Sequence, residues 1–147
     1  MLLIDRDEVM LIADIIAAIK DNWLPAEPAS QELILLVQSD LGIIFPSDYQ
    51  EFIGWSNGGE GNIGSHYFSP WPIQNIRELN VGYQIPQYLP GLTVIGDDLG
   101  PFCYAFDYRS DPINPTFVQV PYGDLDLNSI KILGNTFTAA LKHFLLE

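Results

Sequence analysis

The spacing of apolar residues changes once along this chain, and that change constrains the fold more than any other feature. Before Asn57 the apolar residues recur at helical spacing, whereas after Gly59 they form short runs broken by glycine, proline and aspartate. A helical pattern returns near the C-terminal end. This order predicts an α+β fold: a mixed, mostly antiparallel sheet flanked by N-terminal and C-terminal helices.

Two helices are predicted in the first third of the chain. The first spans residues 6–22, and Asp5 and Glu8 form a capping box at its start. A proline-containing linker follows. The second helix begins after Ser30, whose hydroxyl can accept a backbone N–H, and it ends at Gly42.

Two further helices are predicted with capping residues at their ends. Ser47 and Gln50 form a capping box for the third helix, and residues 57–59 (Asn-Gly-Gly) end it, because these residues tolerate the left-handed conformation. The last helix spans residues 136–146. Its apolar residues share one face, which predicts packing against the sheet.

The region between the third and last helices predicts strands. A short helix is expected at residues 73–80, and the Tyr- and Pro-rich residues 81–91 are expected to be extended or looped. Short spacings within residues 92–120 favour hairpins over parallel crossovers. The strand-like runs are residues 65–68, 92–96, 102–107 and 116–120.

The net charge restricts the classes of partner. Six Lys and Arg against nineteen Asp and Glu give 6 − 19 = −13. Nucleic acid and anionic membranes are bound mainly through Lys and Arg, so neither is an expected partner. The charge fits a basic protein partner, a cation or simple solubility. Cys103 is the one cysteine and the sequence has no signal-peptide pattern, so a reducing cytoplasm is the expected location.

Three segments partly match known motifs for phosphate, calcium or zinc binding, but each lacks residues that the motif requires. The glycine-containing segment 58–64 follows a helix instead of preceding one, and it contains no Lys. These features indicate the end of a helix and a turn, not a phosphate-binding loop. Residues 124–128 (Asp-x-Asp-x-Asn) lack the later Gly and Glu of a calcium loop, so a turn is expected. His66 and His143 have no zinc-site spacing, and Cys103 is expected to be a buried apolar residue. No cofactor, no metal and no catalytic residue is predicted.

Four aspartates remain as candidates because they flank the expected hairpin: Asp97, Asp98, Asp107 and Asp111. Neighbouring carboxylates can act in acid–base catalysis or hold a cation, but Asp at strand ends is also a common turn-former. A non-catalytic binding surface is the favoured interpretation. An acidic hydrolase using Asp97, Asp98 or Asp107 is the competing one.

Aromatic residues cluster near the glycine turn and in the Pro-rich middle. Most are expected in the core, yet Tyr and Trp also dominate protein interfaces. If the chain binds a protein, Tyr83 and Tyr88 are the expected aromatic anchors. Glu60, in the turn after the third helix, joins the four aspartates as an expected contact.

The segment 45–53 (FPSDYQEFI) followed by 57–61 (NGGEG) resembles the "LPxxYxxFL…NGG" hallmark of the SUKH superfamily. The nearer resemblance is to the branch named after a fungal cell-wall-synthesis regulator. Phe45 stands where Leu is usual, and Pro101 where a small or polar residue is usual. Further pieces in the same order are WPI at 71–73, YLPG at 88–91, IGDDLG at 95–100, YAFD at 104–107 and the helix at 137–146.

The resemblance implies one SUKH-like α+β domain over residues 1–147. Residues 1–29 would be an N-terminal helix and linker, and residues 30–147 the core. It also implies a non-enzymatic immunity protein that binds and neutralises a cognate bacterial toxin, often a nuclease with a basic cleft. The family provides no catalytic residues to transfer. The alternative is a regulatory or scaffold module that binds other proteins.

Overall fold

A computed structural model describes residues 10–147. The helices are α1 Ile12–Ile19, α2 Gln31–Leu41, α3 Ser47–Trp55, α4 Ile76–Gly82, α5 Ile85–Tyr88 and α6 Phe137–Leu145. The strands are β1 Trp23–Leu24, β2 Glu60–Ile63, β3 His66–Pro70, β4 Leu92–Asp97, β5 Phe102–Asp107, β6 Thr116–Pro121 and β7 Lys131–Gly134. Single 3-10 turns lie at Lys20–Asn22, Ile73–Asn75 and Leu127–Ser129. None of the helices in residues 10–147 has the length and apolar character needed to cross a membrane.

The seven strands form one sheet in the order β1 to β7, so each strand pairs with its neighbours in the sequence. The predicted α+β fold is confirmed. Every pairing among the described strands is antiparallel, which leaves no parallel part of the expected mixed sheet. The β4–β5 hairpin is among the predicted ones, and its strands agree with the predicted runs to within a residue.

Helices α3 and α6 pack against the sheet through a cluster of aromatic rings, and α1 packs against both of these helices. The ring of Phe137 lies 5.3 Å from Phe117, 5.4 Å from Tyr49 and 5.5 Å from Phe52, measured between centroids. All four rings are fully buried. Edge-on contacts of this kind add to the stability gained from burying aromatic area.

The first helix is shorter than predicted in its described part. Met10 and Leu11 are not helical, and α1 begins at Ile12. The carboxylate of Asp14 accepts the backbone N–H of Leu11 at 2.9 Å, which satisfies one donor at the helix start. The predicted capping box of Asp5 and Glu8 lies outside the described residues.

Capping of the next two helices follows the prediction at α2 and departs from it at α3. Ser30 Oγ accepts the N–H of Leu33 at 3.1 Å, and Gly42 ends α2 with φ of 69°. The prediction of a Ser47–Gln50 capping box is wrong. Gln50 Nε2 instead donates to the Phe45 carbonyl at 2.7 Å. Helix α3 also ends before the predicted glycines, at an extended Ser56.

Three strands and one helix were not anticipated. Strands β1, β2 and β7 have between two and four residues, and β2 contains Gly61 and Asn62, which are uncommon in strands, so their local sequence carries little strand signal. They form because neighbouring strands pair with them. Residues 81–91, expected to be extended or looped, contain the end of α4 and all of α5. Gln84, at φ of 58°, separates these two helices and interrupts the helical pattern.

Candidate protein-binding site

The hairpin of β4 and β5 separates the four candidate aspartates into two groups. Asp97 and Asp98 lie where β4 turns into β5, whereas Asp107 pairs with Leu92 at the opposite end of the hairpin. Six-residue strands put these ends about 17 Å apart. Asp111 lies in the loop after β5, on the same side as Asp107. The aspartates therefore form two separate groups, one at each end of the hairpin, which we call the two acidic edges.

At the turn, both carboxylates accept backbone hydrogen bonds. Asp98 Oδ1 accepts the N–H of Gly100 at 2.8 Å and of Phe102 at 3.1 Å. Asp97 Oδ1 accepts the N–H of Leu99 at 3.1 Å. These are the bonds by which Asp stabilises a turn, and they hold Leu99 at φ of 58° with its side chain 64% exposed.

A row of aromatic rings runs to this turn. Trp71 stacks parallel to Tyr83 at 6.1 Å, and Tyr83 lies 5.0 Å from Tyr122. The Tyr122 hydroxyl donates to Asp97 Oδ2 at 2.6 Å. Burial, together with this bond, raises the pKa of Tyr122 far above its ordinary value, so the phenol remains a donor.

The opposite edge holds an ion pair. Arg109 donates to both carboxylate oxygens of Asp107, with Nη2 to Oδ2 at 2.8 Å, and these bonds lower the pKa of Asp107. Asp111 accepts the N–H groups of Ile113 and Asn114, which lowers the pKa of Asp111. Asp107 and Asp111 thus stabilise their own loop.

Glu60 lies apart from both edges. It starts β2, two strands away from β4, and its carboxylate accepts the hydroxyl of Tyr67. This bond raises the pKa of Tyr67. The structure therefore does not bring Glu60 together with the hairpin aspartates.

The two candidate tyrosines lie on one exposed segment. Tyr83 is 41% exposed and Tyr88 is 46% exposed. Beneath them Ile85 and Leu89, one helical turn apart, are fully buried. The aromatic side chains are therefore presented by a segment that is anchored in the core.

Three residues of this region were not among the predicted contacts: Trp71, which was noted only as part of the WPI motif, Asn80 and Tyr122. The first two are buried, and only contacts between distant parts of the chain place them beside Tyr83 or β4. One signal was present in the sequence. Residues 79–96 contain no Asp, Glu, Lys or Arg, the longest such run in this acidic chain.

The two histidines converge on one carboxylate. His66 Nε2 lies 2.6 Å from Glu147 Oε2, and His143 Nε2 lies 2.5 Å from Glu147 Oε1. The bond to His66 lowers the pKa of Glu147. Within residues 10–147 no group of three or more His, Cys, Asp or Glu side chains forms a candidate metal site.

Cys103 is fully buried, as predicted, and burial raises the pKa of its thiol to about 12.

The hallmark after α3 has a structural role. Ser56 Oγ accepts the indole N–H of Trp23 and the N–H of Ala26, at 3.2 and 3.0 Å, and donates to the Gly58 carbonyl at 2.9 Å. Asn57 Oδ1 accepts the N–H of Ile73 at 2.8 Å. These bonds join the residues directly after α3 to the segment before α2, at Trp23 and Ala26, and to the segment after β3, at Ile73.

The geometry defines an α+β protein in which helices cover an antiparallel sheet, with an uncharged exposed segment that contacts the acidic turn between β4 and β5 through Tyr83 and Tyr122. The chain belongs to the SMI1/KNR4 family (SUKH-1), whose model matches residues 28–143. A search of curated proteins finds no match.

Proposed function

We propose that this protein is a non-enzymatic immunity protein that binds a bacterial toxin domain in the cytoplasm and neutralises it. The observation that carries the proposal is membership of the SMI1/KNR4 (SUKH-1) family, which includes immunity proteins. The free, buried Cys103 agrees with a reducing compartment.

The charge of the chain supports a basic toxin, such as a nuclease. A nuclease needs a positive cleft to hold a phosphate backbone. A chain of net charge −13 is attracted to that cleft, and such attraction speeds association and keeps nucleic acid out.

The arrangement of the carboxylates supports a binding role over a hydrolytic one. Asp97 and Asp98 are engaged by turn amides and by Tyr122, and Asp107 is engaged by Arg109. A catalytic pair of carboxylates needs both groups within reach of one substrate, so Asp107 at the far end of the hairpin cannot pair with Asp97 or Asp98.

The test uses the toxin domain encoded beside this gene. The chain is co-expressed with the active domain in bacteria, and its binding to a catalytically inactive form is measured by calorimetry. We expect restored growth and a stoichiometric complex with a basic domain. Binding without protection would favour the regulatory or scaffold alternative. Failure to bind, or a neighbouring gene that encodes no toxin, would overturn the proposal.

A further inference from the structure

The segment between α4 and β4 exposes apolar side chains in a part of the sequence that has no charge. We call the exposed side chains of Val81, Tyr83, Pro86, Tyr88 and Pro90 the tyrosine–proline face. Val81 is 62% exposed, although its side chain is wholly apolar. Protein interfaces are depleted of charge and enriched in aromatic residues at their centre, and this face has that composition.

The tyrosine–proline face is firmly attached to the fold. Ile85 and Leu89 are buried beneath it, and Tyr83 stacks on Trp71, which is 8% exposed. The side chain of Asn80 joins α4 to β4 through two hydrogen bonds with the backbone of Val94. A surface held in this way loses little conformational entropy on binding.

The Tyr83 end of the face lies next to carboxylates that form no salt bridge with any of residues 10–147. Tyr83 contacts Tyr122, which donates to Asp97, and Asp98 follows directly in the chain. Within residues 10–147 these two carboxylates accept hydrogen bonds from a phenol and from backbone amides, whereas Asp107 is paired with the cationic Arg109. Leu99, in the same turn, adds an exposed apolar side chain directly after them in the chain.

We infer that the tyrosine–proline face is the surface on which the basic toxin domain docks, with Asp97 and Asp98 as its acidic edge. This inference rests on the proposed function and names the contact that performs it. Charge complementarity selects the occupant, because two copies of a chain with net charge −13 repel each other. Arginine of a basic partner can stack on Tyr83 while it pairs with the nearby carboxylates.

The first experiment measures the affinity of the catalytically inactive toxin domain for Y83A/Y88A. The control is L24A/I132A, which removes similarly exposed apolar side chains from β1 and β7 at the two edges of the sheet. We expect Y83A/Y88A to weaken binding at least about tenfold, as loss of aromatic anchors does, and the control to change it less than about twofold. Thermal unfolding of each variant shows whether the fold is retained.

The second experiment tests the acidic edge. D98N keeps the oxygen that accepts the Gly100 and Phe102 amides but removes the charge. D126N makes the same change at a turn after β6, where Asp126 accepts the N–H of Asn128 at 2.7 Å. We expect D98N to slow association and to reduce its salt dependence more than D126N does.

A photocrosslinking residue in place of the exposed Gln87 gives a readout that does not depend on the tyrosine substitutions. We expect it to capture the toxin domain. If the wild-type chain binds the domain while Y83A/Y88A and D98N bind equally well and Gln87 gives no crosslink, the inference is wrong and the proposed function stands. If the wild-type chain does not bind the domain, the proposed function itself fails.

Discussion

The side-chain amide of Asn80 hydrogen-bonds both backbone polar groups of Val94. Its Nδ2 donates to the Val94 carbonyl and its Oδ1 accepts the Val94 N–H, at 2.8 and 2.9 Å. Strand β3 pairs with β4 only at Ser69 and Pro70, so it does not reach Val94. Asn80 therefore acts in place of a strand and joins α4, which ends directly before Tyr83, to the centre of the sheet.

Replacing Asn80 with Ala should lower the free energy of unfolding by about 2–4 kcal/mol, because two buried backbone groups lose their partners. Urea denaturation measures this, and N114A in an exposed loop is the control. A loss no greater than that of N114A would show that other groups can satisfy Val94.

Tyr49 carries a hydroxyl that is fully buried and has no hydrogen-bond partner among the described residues. Tyr49→Phe should leave the free energy of unfolding unchanged or raise it by up to about 1 kcal/mol, since it removes an unsatisfied polar group. Tyr49→Ala should lower it by about 3–5 kcal/mol by leaving a cavity. Thermal and urea denaturation distinguish these outcomes, and a clear loss in Y49F would reveal a partner for the hydroxyl.

Asp48 connects the starts of α3 and α6. Its Oδ2 accepts the backbone N–H and the hydroxyl of Thr138, at 2.8 and 2.7 Å. Asp48→Ala should lower the free energy of unfolding by about 1.5–3 kcal/mol, the range for hydrogen bonds to a charged group. E51A, at an exposed position of the same helix, is the control in urea denaturation. Equal effects of D48A and E51A would contradict this role.

Gly42 and Gly59 both have φ in the left-handed region, at 69° and 80°, but their surroundings differ. A Cβ at Gly42 has no atom within 4 Å, whereas one at Gly59 overlaps the Leu24 carbonyl oxygen. Gly42→Ala should cost about 1 kcal/mol from backbone strain, and Gly59→Ala about 2 kcal/mol more from steric overlap. Urea denaturation of the two variants tests this, and similar losses would mean that the chain near Leu24 moves aside freely.

Asp107 should make stability depend on pH. Its pKa is lowered from 3.8 by Arg109, so the folded state favours the ionised carboxylate. This contribution is present above the unfolded-state pKa and is lost as the pH falls through the lower, folded-state pKa. Urea denaturation at pH 7 and pH 3 should therefore show a smaller difference between wild type and D107N at pH 3. The same difference at both pH values would rule out this source of acid sensitivity, and R109Q should behave like D107N.

Parts of the fold were predictable because their signals are local. The caps at Ser30 and Gly42, the period of α6 and the runs that form β4, β5 and β6 follow from neighbouring residues in the sequence. The resemblance at residues 45–61 also indicated the SUKH superfamily, and the match of residues 28–143 to the SMI1/KNR4 (SUKH-1) family confirms it. The exposed positions of Tyr83 and Tyr88 agree with a role as contacts, which stays a prediction.

The sequence by itself determined the net charge, the helical patterns of α2 and α3 ahead of the long strands β4 to β6, and the uncharged run at residues 79–96. Tertiary structure alone decided which residues meet. It formed β1, β2 and β7 by pairing, placed Tyr122 between Tyr83 and Asp97, and separated Asp97 from Asp107 along the hairpin. The physical reason is range: caps and periodicity depend on residues a few positions apart, whereas strand pairing and ring contacts join residues that only the folded chain brings together.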